Sequence, residues 1–469
     1  MNKIYELKYI PLIGLVCSPL VNYPSNPLAS PFVLYFFMAI IFIYMDWRHR
    51  FLIKSNNTKQ ASFNILIALL MAVTALLTGY LTQLPVSLNG GLGFDGLHYG
   101  AIYEHFKNGH SSLPLSFPYH QRIGLPYFAA LLPFEPRLAF LILHTIFWIL
   151  TTLFFVLLCS KLNIPICYTF MAVVWINSHW LSVPRAAANY SFTVDSSAIF
   201  FMMVLTYFFT IKKYLLIILT VAIGAIFKET IMLWSISLIS GLLFSLSLNL
   251  KNKMTRDTQD YYLIASLLVA ISLGFITNYF AYNLFPVAEN QNMFSTINFW
   301  AQQRLTDTIE IARYFGAIIN AAGGFLAFLL AVKLINIKNC FPTPAITGTG
   351  SIALTVYLAI CFFSGSDLTK FAFMSFPLSL PIILLKVNQS IKIKDFPIFI
   401  IIVILGTPVA HLTSPLLSPL PGHEVPKQDY FGPYTWMMEY AHLSVVAIWL
   451  SLFIFLLFFS YYLIKSREN

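Results

Sequence analysis

Charge is what this chain has least of: Asp, Glu, Lys and Arg make up 10% of its 469 residues, against 58% hydrophobic residues and a mean hydropathy of +0.76. So little charge cannot clothe a folded body of this size in water, which excludes a soluble globular protein. No polar block is long enough to form a separate soluble domain either, so residues 1–469 read as a single membrane domain with loops. Cysteine is also sparse. Cys17, Cys159, Cys167, Cys340 and Cys361 show no CxxC spacing and lie in or beside apolar runs, so neither a disulfide framework nor a thiolate metal site is implied. An HExxH zinc motif is absent, and no internal repeat is apparent.

What the chain does have is long apolar runs from end to end. A helix needs roughly 20 residues to cross about 30 Å of hydrocarbon, and the runs predict an all-α polytopic membrane protein with about 12 to 14 transmembrane helices. Candidate spans fall at 9 to 21, 28 to 45, 61 to 83, 138 to 158, 164 to 180, 195 to 211, 214 to 228, 229 to 249, 261 to 285, 313 to 333, 347 to 363, 371 to 385, 397 to 413 and 441 to 464. Those at 9 to 21, 214 to 228 and 371 to 385 are short for a crossing and suggest half-helices or re-entrant segments. The organisation is an N-terminal helical hairpin (1–60), a core (61–250) with an outer loop at 84–137, and C-terminal helices (251–469) with outer loops at 286–312 and 414–440.

Orientation follows from the bases. With both termini on the cytoplasmic side, 19 of the 28 Lys and Arg residues fall in inner segments, among them Arg48, Arg50, Lys161, Lys212, Lys213, Lys251 and Lys253. The net charge of +10 is therefore a topology signal, not a nucleic-acid patch. Inner loops are short and outer loops long, which places the working surface outside.

The first outer loop is the most informative of the three. Residues 94 to 122 are polar and rich in histidine, and Leu97 to Lys107 predicts a short interfacial helix ended by Asn108-Gly109. A second short helix is expected through Gln121 to Leu132. Asp95, just before the first helix, has two readings: an N-cap that accepts backbone N–H bonds, or a carboxylate able to take a proton from an attacking hydroxyl. By residue chemistry alone the cap is the stronger. His98, three residues on, shares that helix face and is placed to orient the carboxylate.

Other ionisable residues gather at the outer boundaries. Lys228 and Glu229 are neighbours in sequence, yet adjacent helical residues point about 100° apart, so each should find a partner elsewhere. Lys228 could bind a phosphate and stabilise charge on a leaving group. Arg185 and Asp195 bracket the polar break from Pro184 to Val194, and read either as a mutual salt bridge or as ligand contacts. Asp367 and Lys370 read as a capped helix start with a local ion pair, or as further substrate contacts. Arg304, Asp307, Glu310 and Arg313 recur at three-residue steps, the pattern of a solvated helix face.

The run Asp95-Gly96, Tyr99 and then Arg122 in Gln121-Arg122-Ile123-Gly124-Leu125-Pro126, following a hydrophobic span, resembles the GT-C superfamily of polytopic membrane glycosyltransferases. The resemblance covers mainly residues 61 to 250, and an additional hairpin over 9 to 45 precedes it. It implies a GT-C-like fold and transfer of a sugar from a polyprenyl-phosphate donor to a lipid-linked glycan or other extracytoplasmic acceptor, in a bacterial inner membrane. Asp95 would be the base, and His98, Tyr99, Arg122, Arg185, Asp195, Lys228, Glu229, Asp367 and Lys370 would contact substrate. The partners are then the lipid-linked donor, the acceptor and membrane lipids, with no nucleic acid. No cofactor is required by the motifs; a divalent metal ion stays open, since some GT-C-like enzymes use one and others do not. The competing readings are a flippase or other transporter of a lipid-linked saccharide, and a glycan polymerase or ligase.

Overall fold

The structure is a computed structural model that describes residues 9–17, 31–53, 59–82, 88–93, 95–109, 115, 117–179, 181–251, 258–285, 293–306, 308–335, 345–363, 368–390, 396–407 and 443–465. These residues form helices and no strand: α1 Tyr9–Cys17, α2 Pro31–Ile53, α3 Lys59–Thr82, α4 Gly96–Asn108, α5 Gly124–Ala130, α6 Pro136–Lys161, α7 Ile166–Ser178, α8 Val183–Asn189, α9 Asp195–Thr210, α10 Tyr214–Ala225, α11 Thr230–Lys251, α12 Thr258–Tyr282, α13 Met293–Thr306, α14 Thr308–Ile335, α15 Ala345–Phe362, α16 Leu368–Met374, α17 Phe376–Ser390, α18 Phe396–Leu405 and α19 Leu443–Lys465. The two short helices expected in the first outer loop are α4, closed by Gly109 in the left-handed conformation (φ 68°), and α5.

Among the described residues, eight helices are long and apolar enough to cross a membrane, and a ninth crossing results if α16 and α17, bent by 57° at their junction, act as one. This is a polytopic membrane protein. Among the described residues there are fewer full-length crossings than the 12 to 14 expected, and several apolar runs form shorter helices there. Asp195–Thr210, Tyr214–Ala225, Thr349–Phe362 and Phe396–Leu405 hold 10 to 17 residues each. At about 1.5 Å per residue, a 12-residue helix such as α10 spans only about 18 Å. Of the run at 9 to 21 the described part is α1, which lies against α2 with Gly14 facing Met38.

Chain direction alternates, and this sorts the charged groups. At one end Arg50 donates to Asn64 (2.8 Å), while Phe396 meets both Trp47 (5.9 Å) and Tyr168 (5.1 Å). Lys161 ends α6 and Lys212 follows α9 there. The opposite end collects the starts of α4, α9, α11 and α16, where the sequence places its candidate site.

Lipid tails are as apolar as leucine, so helices in a bilayer are held by close packing more than by burial from water, and glycine is what permits close approach. A Cβ added at Gly79 would lie 1.6 Å from the Pro184 carbonyl oxygen, at Gly241 2.2 Å from that of Thr349, and at Gly324 2.3 Å from that of Ile402, each a collision with a neighbouring backbone. Beside the third contact Gly323 has φ 51° and ψ −139°, a conformation that breaks α14 and that only glycine adopts without strain. The Gly79 contact seats α8 on α3 and so fixes the segment leading to Asp195. Gly79→Ala should cost about 1–3 kcal/mol of stability through overpacking, read as a lower midpoint in thermal melts of the purified protein.

Candidate functional site

Asp95 opens the site, but not as a helix cap. Its backbone carbonyl accepts from the amides of His98 (3.0 Å) and Tyr99 (3.2 Å), while its side chain makes no capping bond. The reason is local: Asp95 already has helical angles (φ −65°, ψ −22°), whereas a capping side chain folds back onto the first turn from an extended backbone. The carboxylate instead accepts from the Tyr119 hydroxyl (Oδ1, 2.8 Å), and among the described residues its Oδ2 has no hydrogen-bond partner. Gly96 can follow because its N–H donates to the Tyr190 hydroxyl (2.7 Å), and any Cβ would lie 2.7 Å from that of Phe192.

Tyr119 is held by rings. His98 stacks on it (centroids 4.0 Å apart, 12° between planes) and Tyr99 meets it edge-on at 5.6 Å. Burial and the nearby Asp95 charge push the Tyr119 hydroxyl far up, so it remains a proton donor. Burial lowers the His98 pKa, with Asp95 partly opposing the shift, so its ring is neutral at neutral pH. His98 therefore acts on the carboxylate through Tyr119, one step further removed than its spacing suggests.

Arg122 and Glu229 join the loop to the α10–α11 junction. The guanidinium donates through Nε to Oε2 (2.9 Å) and through Nη2 to Oε1, a two-bond clamp, and through Nη1 to the Tyr99 hydroxyl (3.2 Å). The Gly124 amide also donates to the Ile226 carbonyl (2.8 Å), and a Cβ on Gly124 would lie 2.8 Å from the Phe227 ring. Tyr99, only 1% exposed, supports Arg122 from behind.

Lys228 turns the other way and pairs with Asp195 Oδ1 (2.5 Å), so the two neighbours do find separate partners, although both lie in the break between α10 and α11 and not on a helix. Lys370 reaches Oδ2 of the same carboxylate (3.1 Å), to which Thr193 also donates (2.9 Å). Arg185 is not the partner of Asp195. It is buried on α8 with its guanidinium 5.0 Å from the centre of the Phe32 ring, a cation–π contact, so of the two readings the mutual salt bridge with Asp195 is not the one formed. Asp367 lies outside the described residues. Arg304 also departs from expectation: it is 1% exposed, donates to the Phe362 carbonyl and lies over the Trp300 ring (5.0 Å), rather than on a solvated face. Arg313 and Glu310 do pair locally (2.6 Å), and Asp307 lies outside the described residues.

Nothing in the sequence marks His144. It sits within the apolar run of α6 with no local motif, and only the fold brings it to the turn before α9. Its Nε2 lies 2.7 Å from the Ser191 carbonyl oxygen and its Nδ1 2.5 Å from Ser196 Oγ. A carbonyl only accepts, so Nε2 carries the proton and Nδ1 accepts from the serine hydroxyl. Both ends of the turn that presents Thr193 and Asp195 are thus tied down. Tyr119 reads in sequence only as a tyrosine suited to the headgroup layer; its reach to Asp95 across 24 positions leaves no trace in spacing.

A cavity of ≈ 40 Å³ adjoins the Asp195 end, lined by Thr193, Asp195, Ser196 and Lys370 on its polar side and by residues such as Leu181 and Phe373 on the other. Among the described residues no three His, Cys, Asp or Glu side chains converge as a metal site would need. No family model, curated protein or solved structure matches this chain.

Glu229 provides a pH-dependent test. Burial raises its pKa, but the Arg122 charge and hydrogen bonds outweigh that, and the net direction is down. A carboxyl depressed in the folded state contributes stability that is complete above its unfolded value and is lost as pH falls through its folded one. Glu229→Gln should lower stability at neutral pH by about 2 kcal/mol and flatten the acid limb below about pH 4.5, measured as thermal midpoints across pH.

Proposed function

We propose that this chain is a GT-C-like membrane glycosyltransferase that moves a sugar from a polyprenyl-phosphate donor to a lipid-linked glycan or other extracytoplasmic acceptor. The observation that carries the reading is Asp95 itself: a carboxylate released from capping, with one oxygen held by Tyr119 and the other unpartnered among the described residues, beside two ion-paired groups that bring three cations to the same end of the bundle. The resemblance of the Asp95 to Pro126 segment supports the same assignment. In the cell the site faces outward from a bacterial inner membrane, with both termini cytoplasmic and α4 and α5 in the membrane interface.

The chemistry follows from these groups. The acceptor hydroxyl gives its proton to Asp95 Oδ2 as its oxygen forms a bond to the anomeric carbon. The bond from that carbon to the carrier phosphate breaks, its electron pair leaves with the phosphate, and the configuration inverts. Tyr119 keeps Asp95 aimed without taking its proton. Cations at this end of the bundle stabilise the charge that grows on the departing phosphate.

Arg122 has a narrower part than phosphate binding. Its two-bond attachment to Glu229 makes it the fastener between loop and helix junction, so it positions Asp95 through Tyr99 and the α4 start. Asp95→Asn keeps the Tyr119 contact and removes the base. It should reduce transfer by about 10²–10⁴-fold, followed as release of carrier phosphate from a radiolabelled polyprenyl-phosphate sugar by protein in lipid nanodiscs. Full activity in this variant, with unchanged thermal stability, would sink the assignment.

A further inference from the structure

Tyr190 reaches the Asp95 segment from the turn before α9, and the chemistry above gives it no part. Its hydroxyl oxygen accepts from the Gly96 amide (2.7 Å), one residue on from Asp95. A phenol whose oxygen accepts still has a proton to give, and among the described residues no acceptor takes it. Burial and then the Asp95 charge push the Tyr190 hydroxyl far above its ordinary range, so that proton stays in place near neutral pH. The side chain is also held firmly. Gly93, at φ 73°, lies under the ring, where a Cβ would come within 2.3 Å of Tyr190 Cε2. The Tyr190 amide donates to the Ala186 carbonyl (2.7 Å), and the Ser191 carbonyl that follows is tied to His144 Nε2 (2.7 Å).

A fixed hydroxyl proton beside an open carboxylate oxygen is a donor next to an acceptor. That pair complements two adjacent hydroxyls, one giving its proton to Asp95 Oδ2 and the other accepting from Tyr190. A lone alcohol would engage Asp95 and leave the Tyr190 proton unmet, while an anion seated on Tyr190 would meet the Asp95 charge. We propose that Tyr190 donates a hydrogen bond to the hydroxyl neighbouring the attacking one, which makes the acceptor a sugar that presents a vicinal diol. The assignment rests on the transferase reading and narrows its acceptor. Tyr190 then determines specificity, and the ties at Gly93, Gly96 and His144 keep its hydroxyl at a constant place relative to the base.

Deleting the same hydrogen bond from either side tests this. Methyl glucoside, methyl mannoside, methyl galactoside and the monodeoxy analogues of each are titrated against protein in lipid nanodiscs, without donor, and binding is read by saturation-transfer NMR. A parent glycoside should bind wild-type protein, and an analogue lacking the neighbouring hydroxyl should bind about two- to tenfold more weakly, the effect of a neutral hydrogen bond. Tyr190→Phe, which keeps the ring over Gly93, should weaken the parent by the same factor and leave that analogue unchanged. Such non-additivity marks a direct contact, since a structural role for Tyr190 would weaken parent and analogue alike. Equal binding of every deoxy analogue to wild-type protein overturns the proposal by itself, whether or not the variant folds. So does unchanged parent affinity in folded Tyr190→Phe, an equal loss for parent and all analogues, or no binding of any glycoside. Because binding needs no donor, glycosides that bind as described to a protein that releases no carrier phosphate would refute the transferase reading and leave the Tyr190 contact standing.

Discussion

The Asp195 carboxylate, gripped from both sides by Lys228 and Lys370, is the contact on which the functional end depends. Its partners come from the junction before α11 and the start of α16, so a single side chain at the start of α9 joins segments 33 and 175 positions away. Charges in so apolar a protein are costly unless paired and hydrogen-bonded, and Thr193 adds the neutral bond that completes the set. Were Asp195 lost, the Lys228 and Lys370 ammonium groups would lose the carboxylate they share.

The Arg122–Glu229 clamp is the counterpart for the loop. Taken alone, α4 is 13 residues long and would be marginal as an isolated helix. It is held by the clamp through Tyr99, by the Tyr190 hydroxyl on Gly96, and by rings packed around Tyr119. The result is a carboxylate, Asp95, presented at the start of a short helix by packed neighbours, the arrangement that the proposed proton transfer would need. His144 does similar work for the turn before α9, from within a helix that otherwise only packs.

Short helices make room for this site. Had the runs at 195 to 211 and 214 to 228 formed full crossings, their backbone groups would have been satisfied internally and no polar break would remain at their ends. Instead α9 and α10 are short, and the breaks near residues 190–195 and 226–229 bring ionisable side chains into contact with one another. Irregular backbone at such depth is tolerated where protein surrounds it. Close glycine contacts at Gly79, Gly241 and Gly324 supply the rigidity that these interruptions would otherwise remove.

Much of this architecture is legible in the amino-acid order, and the part that is not has a common cause. Composition alone dictates helices in a membrane, because only internally hydrogen-bonded segments can cross hydrocarbon. The run of Leu97 to Lys107 and the glycine after it predict α4 closely, and Lys228 and Glu229 do take the separate partners expected of them, though from a non-helical break between α10 and α11. Pairing over distance is a different matter. Residue chemistry favours Asp95 as a cap because capping is local, and a salt bridge with Asp195 is one of two readings of Arg185 because the two are near in sequence. Tertiary packing gives Asp95 to Tyr119, Asp195 to two lysines and Arg185 to the ring of Phe32. Sequence determines which segments are apolar and where charge interrupts them, since these are properties of single residues and their neighbours. Which charge neutralises which is settled only when helices far apart in the chain are brought within a few ångströms, where the cost of an unpaired charge selects the partner.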